Sequence, residues 1–142
     1  MQEVIQQFSE TIRKAAAERT HVRIRGSGAK DFYGLALIGD VLDTRPCCGI
    51  LEYEPTELVL TARAGTPLRD VEAALAKNRQ MLPFEPPHFG AAATLGGSVA
   101  CGFSGPRRAA SEKPGEIAFD GGAALRVRGG ASRAKRNVTL YE

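Results

Sequence analysis

The chain has 142 residues, 43% of them hydrophobic and 25% charged, which suits one globular domain with a core of its own. Its formal charge of +3 is unevenly held: residues 1–105 carry 11 basic and 12 acidic side chains, residues 106–142 carry 8 and 4. The body therefore lacks the basic excess that nucleic-acid binding calls for, and no run approaches the roughly 20 apolar residues of a membrane-spanning helix.

The first element is a helix over residues 2–19, where Val4, Ile5, Phe8, Ile12, Ala15 and Ala16 recur at helical spacing. Met1-Gln2-Glu3-Val4 does not resemble a secretory leader, so a cytoplasmic location is expected. His21-Val22-Arg23-Ile24-Arg25 alternates polar and apolar residues as a half-buried strand does. The run Tyr33 to Asp43, with Leu35, Leu37, Ile38, Val41 and Leu42, includes another strand. Glu57-Leu58-Val59-Leu60-Thr61-Ala62 is the clearest strand, rich in apolar and β-branched residues. Gly65-Thr66-Pro67 then opens a helix, with Thr66 suited to the N-cap and Pro67 to the first helical position. Asp70 and Glu72 favour its dipole, Leu68, Val71 and Leu75 form its buried stripe, and Asn78 ends it. Leu82 to Pro87 holds three prolines and reads as extended chain. There is no internal repeat.

The chemistry is carried by two glycine-rich stretches. Arg25-Gly26-Ser27-Gly28-Ala29-Lys30 follows a strand, and its glycines would let several backbone N–H groups converge on one anion, with Arg25 and Lys30 beside them. It is half of a dinucleotide fingerprint: the third glycine should stand at position 31, which is Asp31, and no long amphipathic helix follows. An ordinary turn between strands is the alternative. The second stretch, Pro86 to Arg108, is dominated by small residues, among them Gly90, Gly96, Gly97, Gly102 and Gly105. It reads as a surface against which an extended ligand lies, or as a tight helix packed by small residues. Cys47, Cys48 and Cys101 have no C-x-x-C spacing and only His21 and His88 are available, so no metal site is expected and the cysteines read as small hydrophobes.

Together these residues resemble the FAD-binding domain of the vanillyl-alcohol-oxidase or PCMH type, and within that family the FAD-binding subunits of glycolate oxidases. The resemblance is carried by Gly26-Ser27-x-x-Lys30, by Glu54-Pro55-Thr56-Glu57-Leu58-Val59 with Gly65-Thr66-Pro67-Leu68, and by Met81 to His88. Ala93-Thr94-x-Gly96-Gly97-x-Val99-Ala100-Cys101-Gly102 and Gly105-Pro106-Arg107-Arg108 complete it, so it covers roughly residues 20–108. It implies an α+β fold, the N-terminal portion of such a domain, with a small mixed sheet and flanking helices and a second subdomain truncated or diverged. Residues 1–108 would be that portion. In the family, isoalloxazine and pyrophosphate lie between two α+β subdomains. Arg25, Gly26, Ser27, Gly28, Ala29 and Lys30 would cradle the pyrophosphate here, and Pro87, Thr94, Gly96, Gly97, Val99, Ala100, Ser104 and Gly105 would line the other side.

Some relatives attach FAD through a histidine in the first loop; residues 25–30 contain none, so a non-covalent FAD is implied, with His88 the one exception to consider. The implied activity is oxidation of a small 2-hydroxy acid such as glycolate within a complex. Its partners would be a catalytic flavin subunit and an iron–sulfur subunit, which would hold the chain at the periphery of the inner membrane. No catalytic side chain is assigned, since the flavin performs the redox step, and the isolated chain is expected to be inactive.

Residues 109–142 depart from the pattern and read as a diverged or disordered, basic Gly/Arg-containing tail, or as the product of premature termination or a shifted frame. The alternative function is an inactive fragment, or a small nucleic-acid-binding protein acting through Arg126-Val127-Arg128-Gly129-Gly130 with Arg133, Lys135 and Arg136. No aromatic residue interleaves with these, so a solvated tail is the favoured reading.

Overall fold

A computed structural model describes residues 1–36, 38–106, 117–120 and 124–128. Helix α1 (Gln2–Glu18) forms where the amphipathic repeat places it. It ends because Arg19 turns left-handed (φ 54°), and the two amides that follow the helix return to the carbonyls of Ala16 and Ala15. Ala15 is its buried residue, whereas Ile5 and Ile12 are exposed.

Strand β1 (Val22–Arg25) pairs in parallel with β2 (Asp40–Asp43), Val22 opposite Asp40 and Arg25 opposite Asp43. The crossover between them contains the first glycine stretch. A second sheet has the order β3-β4-β6-β5 and is antiparallel throughout, formed by β3 (Ile50–Glu54), β4 (Val59–Arg63), β5 (Ile117–Asp120) and β6 (Ala124–Arg128). The expected single mixed sheet is thus two sheets, one parallel and one antiparallel. The chain is redirected between them at residues 44–49, where Gly65 N–H donates to the Cys47 carbonyl at 2.8 Å and Arg63 N–H to the Gly49 carbonyl at 2.9 Å.

Three local outcomes differ from the sequence expectation. Strand β3 has no counterpart in it, because its side chains are mostly exposed and its apolar signal is weak; Leu51-Glu52-Tyr53-Glu54 does alternate. β4 starts at Val59 rather than Glu57, because Leu58 adopts φ 58° and its N–H closes a turn on the Pro55 carbonyl. Thr66 does not cap the second helix, α2 (Leu68–Ala76): the N-cap is Pro67, and no side chain caps it. The Thr66 hydroxyl is buried and turned the other way, accepting from Gly49 N–H at 2.9 Å and donating to the Arg63 carbonyl at 2.6 Å. It spends its hydrogen bonds joining β3 to the β4–α2 turn. Within the tail, residues 117–120 and 124–128 are strands, and Ala124-Leu125-Arg126-Val127-Arg128 has the alternation to match. The remaining tail residues lie outside the described part.

The core lies between β4, α2 and the segments that follow: Leu60, Ala62, Leu68, Val71, Leu75, Leu82, Phe84, Ala93 and Leu95. Leu68, Val71 and Leu75 are the buried stripe read from the sequence. Helix α3 (Leu95–Cys101) closes the core from the second glycine stretch, so its tight-helix reading is the one realised over these residues. Thr94 caps it, accepting from Gly97 N–H at 3.3 Å. Pro67 and Thr94 form an isolated antiparallel bridge in which Leu68 N–H donates to the Ala93 carbonyl and Leu95 N–H to the Thr66 carbonyl, both at 2.8 Å. At Gly96 the helix touches the β4–α2 turn: a Cβ there would stand 2.7 Å from the Ala64 Cβ and 2.9 Å from its carbonyl oxygen. Among the described residues no helix is long and apolar enough to cross a membrane.

Two substitutions test this packing by urea denaturation. Leu68→Ala, at a fully buried site, should cost about 2–4 kcal/mol, whereas Leu35→Ala, 91% exposed, should stay within about 0.5 kcal/mol of the parent. Gly96→Ala should cost about 1–3 kcal/mol through overpacking against Ala64.

Candidate functional site

β1 delivers the chain directly into the first glycine stretch, and β2 fixes its point of departure. Thr44, just past β2, donates from both N–H (2.9 Å) and Oγ1 (3.2 Å) to the Arg25 carbonyl. The loop then folds on itself. Gly28 takes φ +78°, its carbonyl accepts from Asp31 N–H at 3.0 Å, and Ser27 Oγ accepts from Ala29 N–H at 3.4 Å. Ala29 packs against the core. Among the described residues no hydrogen bond engages the N–H groups of Ser27, Gly28 or Lys30. Unpaired donors in so short a loop are what an anionic group requires.

The two glycine stretches meet. Gly26 lies against Thr94, where a Cβ would stand 2.5 Å from Oγ1. Lys30 Nζ donates to the buried Ser98 Oγ at 3.3 Å and stands 5.9 Å from the centroid of the Phe89 ring. Among the described residues Lys30 has no carboxylate partner, so its charge is available to a ligand.

The second stretch contributes differently from the first. Its helical N–H groups are already used: Leu95 and Gly96 donate to the carbonyls of Thr66 and Ala64, Gly97 to Thr94 Oγ1, and Ser98 to the Thr94 carbonyl. Gly105 donates to the Phe84 carbonyl at 2.9 Å and sits against Glu85, and Val99 packs on the core. Gly96, Gly105 and Val99 therefore face the protein's own interior. Ala100 is exposed, while Pro87 and Ser104 are half-buried. His88, considered as an attachment point, has its Nε2 3.0 Å from Glu72 of α2.

Sequence reasoning did not find the role of Asp31, of Ser98, or of an aromatic chain at the same place. Phe32 and Phe89 pack edge-on at 5.3 Å between centroids, Phe89 and Phe103 at 5.8 Å, and Tyr33 and Phe103 at 4.6 Å. Their positions directly after the first stretch and inside the second were the available signal. Asp31 receives the Arg25 guanidinium: Nε donates at 2.8 Å and Nη2 lies at 2.6 Å from the same carboxylate oxygen. That hydrogen bond, with the guanidinium charge, holds the Asp31 carboxyl below its ordinary range and raises Arg25. Asp43 is held low in the same way by Arg45.

No group of three or more His, Cys, Asp or Glu side chains is arranged for a metal ion among the described residues. Arg126 and Arg128 stand in β6, opposite Thr61 and Val59 of β4. Gly129, Gly130, Arg133, Lys135 and Arg136 lie outside the described residues, as do Arg107 and Arg108.

The first-loop N–H groups without a partner among the described residues, the Lys30 ammonium and the Arg25 guanidinium are donors of the kind a diphosphate accepts. Residues 3–118 match the family described as FAD binding domain. Over 103 residues the chain is 52% identical to glycolate oxidase subunit GlcE of Escherichia coli (strain K12), a match that takes in 72% of this chain and 29% of that protein. The chain thus spans under a third of that relative's length in the match, and it belongs to the FAD binding domain family.

Proposed function

We propose that this chain is the FAD-binding part of an oxidoreductase complex acting on a small 2-hydroxy acid such as glycolate. The observation that carries the reading is the meeting of the two glycine stretches through Lys30 and Ser98, 3.3 Å apart, beside three loop amides that have no partner among the described residues. Residues 1–108 form the binding unit. Ser27, Gly28 and Lys30 donate their N–H groups to the diphosphate, Gly26 and Ala29 shape the turn, and the Arg25 and Lys30 cations neutralise its charge. Thr94, Gly97, Ala100, Ser104 and Pro87 supply the facing wall, with Gly96, Val99 and Gly105 holding that wall to the core.

Bound FAD would supply the redox chemistry. The chain's own residues bind and orient it. The flavin is dissociable: residues 25–30 hold no histidine, and His88 is engaged by Glu72. GlcE is named as a subunit of glycolate oxidase, and we extend that setting to this chain, with a catalytic flavin subunit and an iron–sulfur subunit as partners. The chain alone turns over no glycolate.

The visible spectrum of the purified chain tests this reading. Expected is a flavin spectrum whose chromophore is released on denaturation, and no reduction of an artificial electron acceptor when glycolate is added. Lys30→Ala should weaken FAD binding about ten-fold through loss of a charge-assisted bond. A colourless chain that takes up no added FAD overturns the reading.

A further inference from the structure

Asp31 stands where a dinucleotide loop would carry its third glycine, and an acidic residue there opposes a phosphate. The structure shows what it does instead. Arg25 folds back from the end of β1 and lies along Gly28, so that a Cβ on Gly28 would clash with the guanidinium Nη2, Cζ and Nε. Asp31 fixes it there with two contacts to one carboxylate oxygen, 2.8 Å and 2.6 Å. Both side chains are exposed, and exposed ion pairs add little to folding, so stability does not account for the arrangement. Its location does: the guanidinium lies along Gly28, one of three loop residues whose N–H has no partner among the described residues. Arg23, two residues earlier on β1, also acts electrostatically on Asp31, and its buried Nε has no hydrogen-bond partner among the described residues.

Resting on the diphosphate-site reading above, we propose that Asp31 is an affinity-setting residue: its carboxylate holds Arg25 across Gly28, and a bound diphosphate takes the guanidinium in its place. A guanidinium offers the same planar fork to a carboxylate or a phosphate, so the exchange needs a side-chain rotation and no backbone change. Asp31 thus lowers the affinity of the loop for any diphosphate and keeps the cofactor exchangeable.

The test titrates the full chain and its variants with FAD, ADP and riboflavin at low ionic strength, with circular dichroism to check that each variant is folded. Asp31→Asn should bind FAD and ADP about two- to five-fold more tightly, the range set by releasing one exposed ion pair, and riboflavin unchanged. Arg25→Gln should bind both diphosphates more weakly, and adding Asp31→Asn to it should bring no further gain. If the parent binds FAD but Asp31→Asn binds ADP no more tightly, the pair is a brace and this inference fails while the site reading stands. If Arg25→Gln and Lys30→Ala both leave FAD and ADP binding unchanged, or the parent takes up neither, the site reading fails and takes this inference with it.

Discussion

Three backbone hydrogen bonds at one crossing fix the second glycine stretch against the turn between β4 and α2. Leu68 N–H reaches the Ala93 carbonyl, Leu95 N–H the Thr66 carbonyl, and Gly96 N–H the Ala64 carbonyl, all at 2.8 Å. They fasten the start of α3 to the start of α2 directly over Leu60, Ala62, Leu68 and Leu95, which are buried to within 2%. Shielded amide bonds of this kind are costly to leave unmade, so the geometry of the crossing is tightly specified. Thr94 is placed by it, and through Thr94 so is the surface that Gly26 touches.

This crossing divides the labour between the glycine stretches. α3 uses its first amides internally, so small residues there serve close packing, most plainly at Gly96 against Ala64. The first stretch turns tightly with few internal bonds and keeps its donors. Glycines of both stretches stand close to protein atoms, and the hydrogen bonds of their amides are what differ.

Much of this was legible in the sequence. The helical repeat from Val4 to Ala16, the strand around Leu60 and the Leu68–Val71–Leu75 stripe formed as their periodicity dictates, because local preference and burial agree there. Thr66 was misread because a threonine before Pro67 satisfies the local rule for a cap, while the stronger demand came from Gly49, seventeen positions upstream. β3 was missed because a strand with exposed side chains carries almost no apolar pattern and is specified mainly by pairing with β4. For the site, the residue types around Gly26–Lys30 were readable, but the Lys30–Ser98 contact depends on tertiary placement and the Arg25–Asp31 pair on how the loop between them folds back, neither of which spacing encodes.

The Lys30–Ser98 contact joins positions 68 residues apart. Closing so long a loop costs entropy that the contact alone does not offset, so the two halves of the site are held together only in the folded chain. A ligand that spans them therefore has nothing to bind in the unfolded chain. Occupancy and folding are linked: each molecule of cofactor bound withdraws a chain from the unfolded pool, and the supply of cofactor becomes one of the terms that sets how much of this protein is folded.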